Sequence, residues 1–182
     1  VPRHTRQLLR NRPLRSWIVI SSVFVAAQSI YPLVLSLHVT QSGISVMEAG
    51  AILGVFALGT FISRLCTPWL TRRFKARTTL RYAVVAGAIA YSAIPWVNDP
   101  YLLGMLSGLL ALPLGIGVPV ALAMIYAAAP AGQVSESVGL SMSVNNILQT
   151  ALPMTFGVFA VYGIAPMVMT FAIAMLFSAW MN

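Results

Sequence analysis

Residues 59–77 read GTFISRLCTPWLTRRFKAR, an apolar segment that ends in a basic cluster. A cluster of five arginines also precedes the first apolar segment of the chain. These two clusters, with Arg81, hold ten of the eleven Lys and Arg residues, and the other loops are almost free of them. A basic segment, a neutral loop and a basic loop again form the positive-inside pattern of a chain that crosses a bilayer repeatedly.

The composition excludes a water-soluble domain. Of the 182 residues, 59% are hydrophobic and 8% are charged, and the mean hydropathy is +0.86, whereas about 25% of residues are charged in a typical soluble domain. The net charge of +8 is confined to segments beside apolar runs, so we expect anionic lipid head groups as partners rather than nucleic acid, which needs a continuous basic face. Cys66 is the only cysteine, so neither a disulfide within the chain nor a cysteine-based metal site is predicted. No other metal site and no cofactor is predicted from the sequence.

Apolar windows of about 20 residues have the length that crosses a bilayer as a helix. Six such windows are found, at 16–38, 47–70, 79–97, 101–128, 137–160 and 164–180. The sequence therefore predicts an all-α membrane protein with six transmembrane helices. Residues 1–15 are predicted to form a basic cytoplasmic linker and residues 16–182 a transmembrane lobe, with both termini in the cytoplasm.

Polar residues are shared unevenly among these windows. The third and sixth windows are almost wholly apolar and are expected to face lipid, whereas the first and fifth carry many Ser, Asn and Gln residues. Polar side chains in hydrocarbon are costly, so the first and fifth helices are expected to face protein or a water-filled cavity. The fourth window is expected to be a flexible helix on account of its helix-breaking and small residues, which are Pro113, Gly115, Gly117 and Pro119.

The chain has a faint internal repeat and a resemblance to a known family. Gly43 and Gly50 recur 89 residues later as Gly132 and Gly139. This spacing is about half the chain and contains three windows, so the second half would be inverted relative to the first. Some transporters are built from inverted three-helix repeats of this kind. Residues 59–77 are similar to a cytoplasmic signature of the major facilitator superfamily, and GLSMSVNN at 139–146 resembles a late helix of its drug-exporter-like members. The resemblance implies the C-terminal lobe of a twelve-helix carrier, so the chain is expected to continue upstream or to pair with a second copy.

Candidate site residues lie in the polar windows. Gln28, Tyr31, Asn145 and Gln149 are predicted to line a substrate cavity, with hydrogen bonding between helices as the equally weighted alternative. Asn145 and Gln149 are four residues apart and share one helix face. His38 near the end of its window could carry a proton, although an interfacial histidine is ordinary there.

A charge pair is predicted between Arg64 and Glu136, which would hold the cytoplasmic gate closed. The alternative for Arg64 is that its long side chain extends to the membrane interface. The three acidic residues, Glu48, Asp99 and Glu136, all lie at or beyond the ends of the windows. A proton-relay carboxylate within the membrane is therefore not expected in this part of the protein.

The predicted function is secondary transport of a small organic solute by alternating access, with drug efflux across the plasma membrane as the activity that the resemblance implies. The alternative is a self-associating six-helix channel or a non-transporting membrane protein, including a decayed carrier remnant. An intramembrane serine protease needs a serine and a histidine at one depth. His38 lies near a window end and His4 lies outside the windows, so an enzyme is not predicted.

Overall fold

The computed structural model describes residues 11–159 and 163–180, and within these ranges the regular structure is entirely helical. The long helices are α1 (Arg12–Ser42), α2 (Val46–Arg73), α3 (Ala76–Ala93), α4 (Pro100–Ala128), α5 (Val134–Phe159) and α6 (Ile164–Trp180). A single 3₁₀ turn, Ile94–Trp96, follows α3. The all-helical prediction is confirmed for the described residues.

The ends of the helices follow the predicted windows closely. Each described end lies within four residues of its window. Because α1 begins at Arg12, the last residues of the predicted linker are helical. Asn11 precedes this helix as its N-cap, and residues 1–10 of the predicted linker lie outside the described residues.

Local chemistry sets the starts of two helices. Before α2, the Ser45 side chain accepts a hydrogen bond from the Glu48 backbone N–H, and the Glu48 carboxylate accepts one from the Ser45 N–H. This reciprocal capping box satisfies two donors that a helix start leaves unpaired. Before α4, the Asp99 carboxylate accepts from the N–H of Leu102, and Pro100 occupies the first helical position, where its missing N–H costs nothing.

Three of the described helices, α1, α2 and α4, are long and apolar enough to cross a bilayer. Each of the other three departs from that standard for its own reason. Helix α3 has 18 residues and carries Arg77 and Arg81, α5 carries many polar side chains, and α6 has 17 residues. The crossing of the membrane by these three helices stays a prediction.

Helices α1 and α4 form the centre of the lobe. They pack on each other, and in addition α2 and α3 pack on α4 while α5 and α6 pack on α1. The burial of the helices reflects this order, because 67% of the most apolar window of α1 is buried inside the lobe but only 17% of that of α2. The second helix therefore lies at the edge and presents most of its surface outward.

Glycines allow α4 to approach its neighbours closely. A Cβ at Gly115 would lie 2.8 Å from the carbonyl oxygen of Thr60 on α2, and a Cβ at Gly117 would overlap the ring of Phe24 on α1. Small residues permit the backbones of membrane helices to approach closely, and Gly115 and Gly117 have this role here. The flexibility predicted for Pro113, Gly115, Gly117 and Pro119 stays a prediction, since α4 is continuous through them.

The close approach at Gly115 yields a stability prediction. Gly115→Ala is expected to destabilise the protein by about 1–3 kcal/mol, because the new methyl group meets the rigid backbone of α2. Gly104→Ala on the same helix is the matched control, because its Cβ would meet only Ile52 at an ordinary 3.9 Å. The melting temperature of the two purified variants measures the effect. Equal melting temperatures would contradict the proposed contact.

Candidate functional site

Polar side chains from three helices form hydrogen bonds along one side of α1. We call this set the polar belt, and it consists of Ser21, Ser22 and Gln28 on α1, Arg64 on α2 and Asn145 on α5. Ser21 and Gln28 are seven residues apart, which places them on the same face of α1 two turns from each other. The belt therefore runs along one side of the central helix.

Gln28 links three helices. Its Nε2 donates to the carbonyl oxygen of Leu114 on α4 at 2.7 Å, and its Oε1 accepts from Nη2 of Arg64 on α2 at 3.2 Å. Beside this contact the carbonyl of Gly115 lacks its usual intrahelical donor, because Pro119 has no N–H. The Gln28 amide thus bonds to the helix backbone and to a charged side chain at once.

Asn145 joins α5 to α1. Its Oδ1 accepts a hydrogen bond from the hydroxyl of Ser22 at 3.0 Å, and its Nδ2 donates to the hydroxyl of Ser21 at 3.3 Å. Asn145 is half-buried, so both ends of its amide are used inside the lobe. This is the interhelical role that the sequence left open for it, and it does not exclude contact with a solute at the half-exposed edge.

Arg64 is exposed and lies nine residues before the end of α2 at Arg73, about 14 Å along the helix axis at 1.5 Å per residue. In the described part of the chain its guanidinium contacts Gln28 and forms no ion pair with Glu136, which lies in the first turn of α5. The predicted Arg64–Glu136 pair is therefore not formed in this arrangement. It stays a prediction for another conformation.

The remaining predicted residues lie apart from the belt. Tyr31 is fully buried, its hydroxyl hydrogen-bonds to Ser107, and its ring stacks on Phe56 with centroids 4.1 Å apart. Gln149 is exposed on α5. For both, contact with a substrate stays a prediction, and for Tyr31 it would require the helices to part.

His38 lies near the C-terminal end of α1. Its side chain is buried, and Nε2 lies 2.7 Å from the carbonyl oxygen of Val97, in the segment that follows α3. This hydrogen bond ties the end of α1 to that segment. It gives the histidine a structural task, and proton transport by His38 stays a prediction.

Sequence reasoning missed some of the belt's connections. The sequence marks the first window as rich in serine but does not identify Ser21 and Ser22 as the partners of Asn145. The carbonyl of Leu114 carries no side-chain signal at all. The periodicity of the apolar and polar residues could have placed Ser21 and Gln28 on one face. It could not have identified which neighbouring helix that face meets.

Comparison of the sequence with protein-family profiles gives a match. The profile of the Major Facilitator Superfamily matches residues 1–157, which is most of the chain. The chain belongs to the major facilitator superfamily. Comparison with the curated proteins finds no match, and comparison with the solved structures finds none either.

The family membership confirms the resemblance to the major facilitator superfamily. It identifies the chain as a transporter of the major facilitator type, and with the apolar helices it makes the chain an integral membrane protein. Transport rather than catalysis is therefore the class of function within which the polar belt is interpreted.

The Asn145 contacts yield a prediction about coupling. Ser22→Ala and Asn145→Ala are expected to show a coupling free energy of about 0.5–1.5 kcal/mol in a double-mutant cycle, as interhelical hydrogen bonds in membranes do. The free energy of unfolding in mixed micelles measures it. The control cycle pairs Ser22→Ala with Asn146→Ala, since Asn146 is exposed, and should give a coupling near zero. Equal values in the two cycles would contradict the contact.

Proposed function

We propose that the chain is the C-terminal six-helix lobe of a twelve-helix secondary transporter that moves a small organic solute by alternating access. Drug efflux is the proposed activity. The observation that carries the proposal is the polar belt, in which Arg64, Gln28 and Asn145 form hydrogen bonds between helices of the lobe. Such groups are stable within a membrane only when they face protein or water, and a solute path supplies both.

The packing supports two inverted repeats, α1–α3 and α4–α6. When α1 is exchanged with α4, α2 with α5 and α3 with α6, the set of main packing pairs is unchanged. Gly43 and Gly132, 89 residues apart, both have left-handed backbone conformations, with φ of 69° and 78°. Transporters built from such repeats bind their substrates near the bilayer midplane, at the repeat interface.

A second lobe is proposed to cover the faces of α2 and α5. Helix α2 is mostly exposed, and α5 exposes polar side chains along much of its length. These side chains include Ser143, Asn146, Gln149 and Thr150. Lipid is a poor neighbour for such groups. We infer a partner with a matching polar face, either an N-terminal lobe of the same protein or a second copy of this one.

The proposed orientation places both termini in the cytoplasm and the protein in the plasma membrane. On this arrangement α3 and α6 face lipid through exposed apolar side chains such as Ile89 and Ile173. Arg64 is proposed to alternate between Gln28 and Glu136 as the inner gate opens and closes. Gln28 lies on α1 itself, and Glu136 lies on α5, which packs on α1.

Thiol labelling tests the proposed solute path. In a Cys66→Ser background, cysteines at Asn146 and Gln149 are expected to react with a membrane-impermeant maleimide, because these positions line water. Cysteines at Ile89 and Ile173 are the matched controls, because these positions are also exposed in the lobe but should be shielded by lipid. Labelling is measured in intact cells and in inverted vesicles.

The side of access distinguishes the candidate functions. A carrier is expected to expose Asn146→Cys from one side at a time, with a solute changing the side, whereas a channel would expose it from both sides at once. Equal labelling of the α5 positions and the α3 and α6 controls would contradict a water-lined path and with it the transporter proposal.

A further inference from the structure

A groove separate from the polar belt lies between α1 and the start of α3. Its volume is about 360 Å³. Helix α1 contributes Trp17 and Ile20, and α3 contributes a larger share of the lining, including Arg77, Arg81, Val84 and Val85. We call it the basic groove. None of its residues takes part in the contacts of the polar belt.

Two arginines make one rim of the basic groove positive. Arg77 and Arg81 are four residues apart on α3, so they lie on the same face one turn from each other. Both are exposed, and in the described ranges neither has a carboxylate within ion-pair distance. Like charges at this spacing repel each other, so a bound anion would stabilise the pair.

The position of Arg77 is defined by an aromatic contact. Its guanidinium carbon lies 5.6 Å from the centroid of the Trp17 ring, which is itself buried. The ring faces the cation favourably and leaves the N–H groups at the guanidinium edge free to donate. A planar guanidinium held in this way is suited to a phosphate oxygen pair.

The other wall of the groove is apolar. Ile20 and Val84 are buried, and Val85 is 37% exposed. These side chains lie on the part of each helix that follows its basic end, so the groove passes from charge to hydrocarbon along the helix axes. A ligand that fits must carry an anion at one end and an apolar chain at the other.

We propose that the basic groove binds an anionic phospholipid, with its phosphate on Arg77 and Arg81 and one acyl chain against Ile20, Val84 and Val85. The apolar wall favours a lipid over free phosphate, which would leave that wall unfilled. Basic pockets between helices on the cytoplasmic side of membrane proteins bind lipid head groups through this combination of charge and hydrocarbon. The proposal does not depend on what the protein transports.

Lipid titration tests the proposal on the full chain. The purified protein in zwitterionic phosphatidylcholine nanodiscs is titrated with phosphatidylglycerol, and bound lipid is counted by native mass spectrometry. The double variant Arg77→Gln/Arg81→Gln is expected to bind phosphatidylglycerol about tenfold more weakly or worse, because two near-surface cations are removed. The double variant Arg72→Gln/Arg73→Gln is the matched control and should lose less than about threefold.

The control is closely matched. It removes the same charge from the last turn of α2, just before α3, and Arg73 also lies over a tryptophan ring, that of Trp69, at 5.9 Å. Its two arginines do not line the basic groove. Equal losses in the two double variants would overturn the proposal, since they would show that charge alone holds the lipid.

A third variant separates the acyl chain from the head group. Val85→Trp fills the groove and keeps both arginines, so it is expected to weaken phosphatidylglycerol binding about as much as the charge variant. Unchanged binding by Val85→Trp would overturn the acyl-chain placement. Displacement of the lipid by an equal concentration of inorganic phosphate would show a free-anion site instead. Val85→Trp also decides the question if the arginine variants fail to fold.

Discussion

Hydrocarbon offers no hydrogen bonds, and this constraint governs the interior of the lobe. A polar group inside a membrane must find its partner within the protein. Gln28 and Asn145 do so across helices, and the buried hydroxyl of Tyr91 does so by donating to the carbonyl oxygen of Ala27 at 2.9 Å. Each of these bonds fixes the rotation of one helix against another, so the polar residues that a site would use also determine the packing.

Close packing of the helices is the second constraint, because it brings the polar groups within hydrogen-bonding distance of their partners. Gln28 reaches the Leu114 carbonyl because α1 approaches α4 at Gly117, where Phe24 occupies the space of a side chain. Arg64 reaches Gln28 because α2 approaches α4 at Gly115. Glycines on α4 thus set the distances within the polar belt, although they carry no polar side chain themselves. A larger residue there would alter the site as well as the stability.

The two ends of the lobe are adapted to different surroundings. The buried His38 ties one end of α1 to the segment after α3 through the carbonyl of Val97. At the other end, basic residues gather around Trp17 and the start of α3. A cation and an amphipathic ring are the groups that membrane interfaces favour. The arginines that contribute to the positive-inside charge pattern therefore also line the basic groove.

Much of the fold could be predicted from the sequence because apolar length and charge placement act locally. The described helix ends lie within four residues of the apolar windows, and residues 59–77 resemble the family whose profile matches the chain. Which partner a polar side chain meets depends on how its helix is rotated. That rotation is set by packing between helices and cannot be read from the local sequence. Gln28 was therefore identified but its bond to a backbone carbonyl was not, and Arg64 was paired with Glu136 when its neighbour in the structure is Gln28.

The number of membrane crossings tests the central claim most directly. Glycosylation acceptors in flexible insertions at Gly43, Lys75, Asn98, Ala131 and Gly163 report which loops enter the microsomal lumen. Six crossings with the termini in the cytoplasm predict modification at Gly43, Asn98 and Gly163 and none at Lys75 or Ala131. Modification at Lys75 or Ala131, or its absence at Gly43, Asn98 or Gly163, would contradict the account, because some of α1–α5 would then not cross the membrane as proposed.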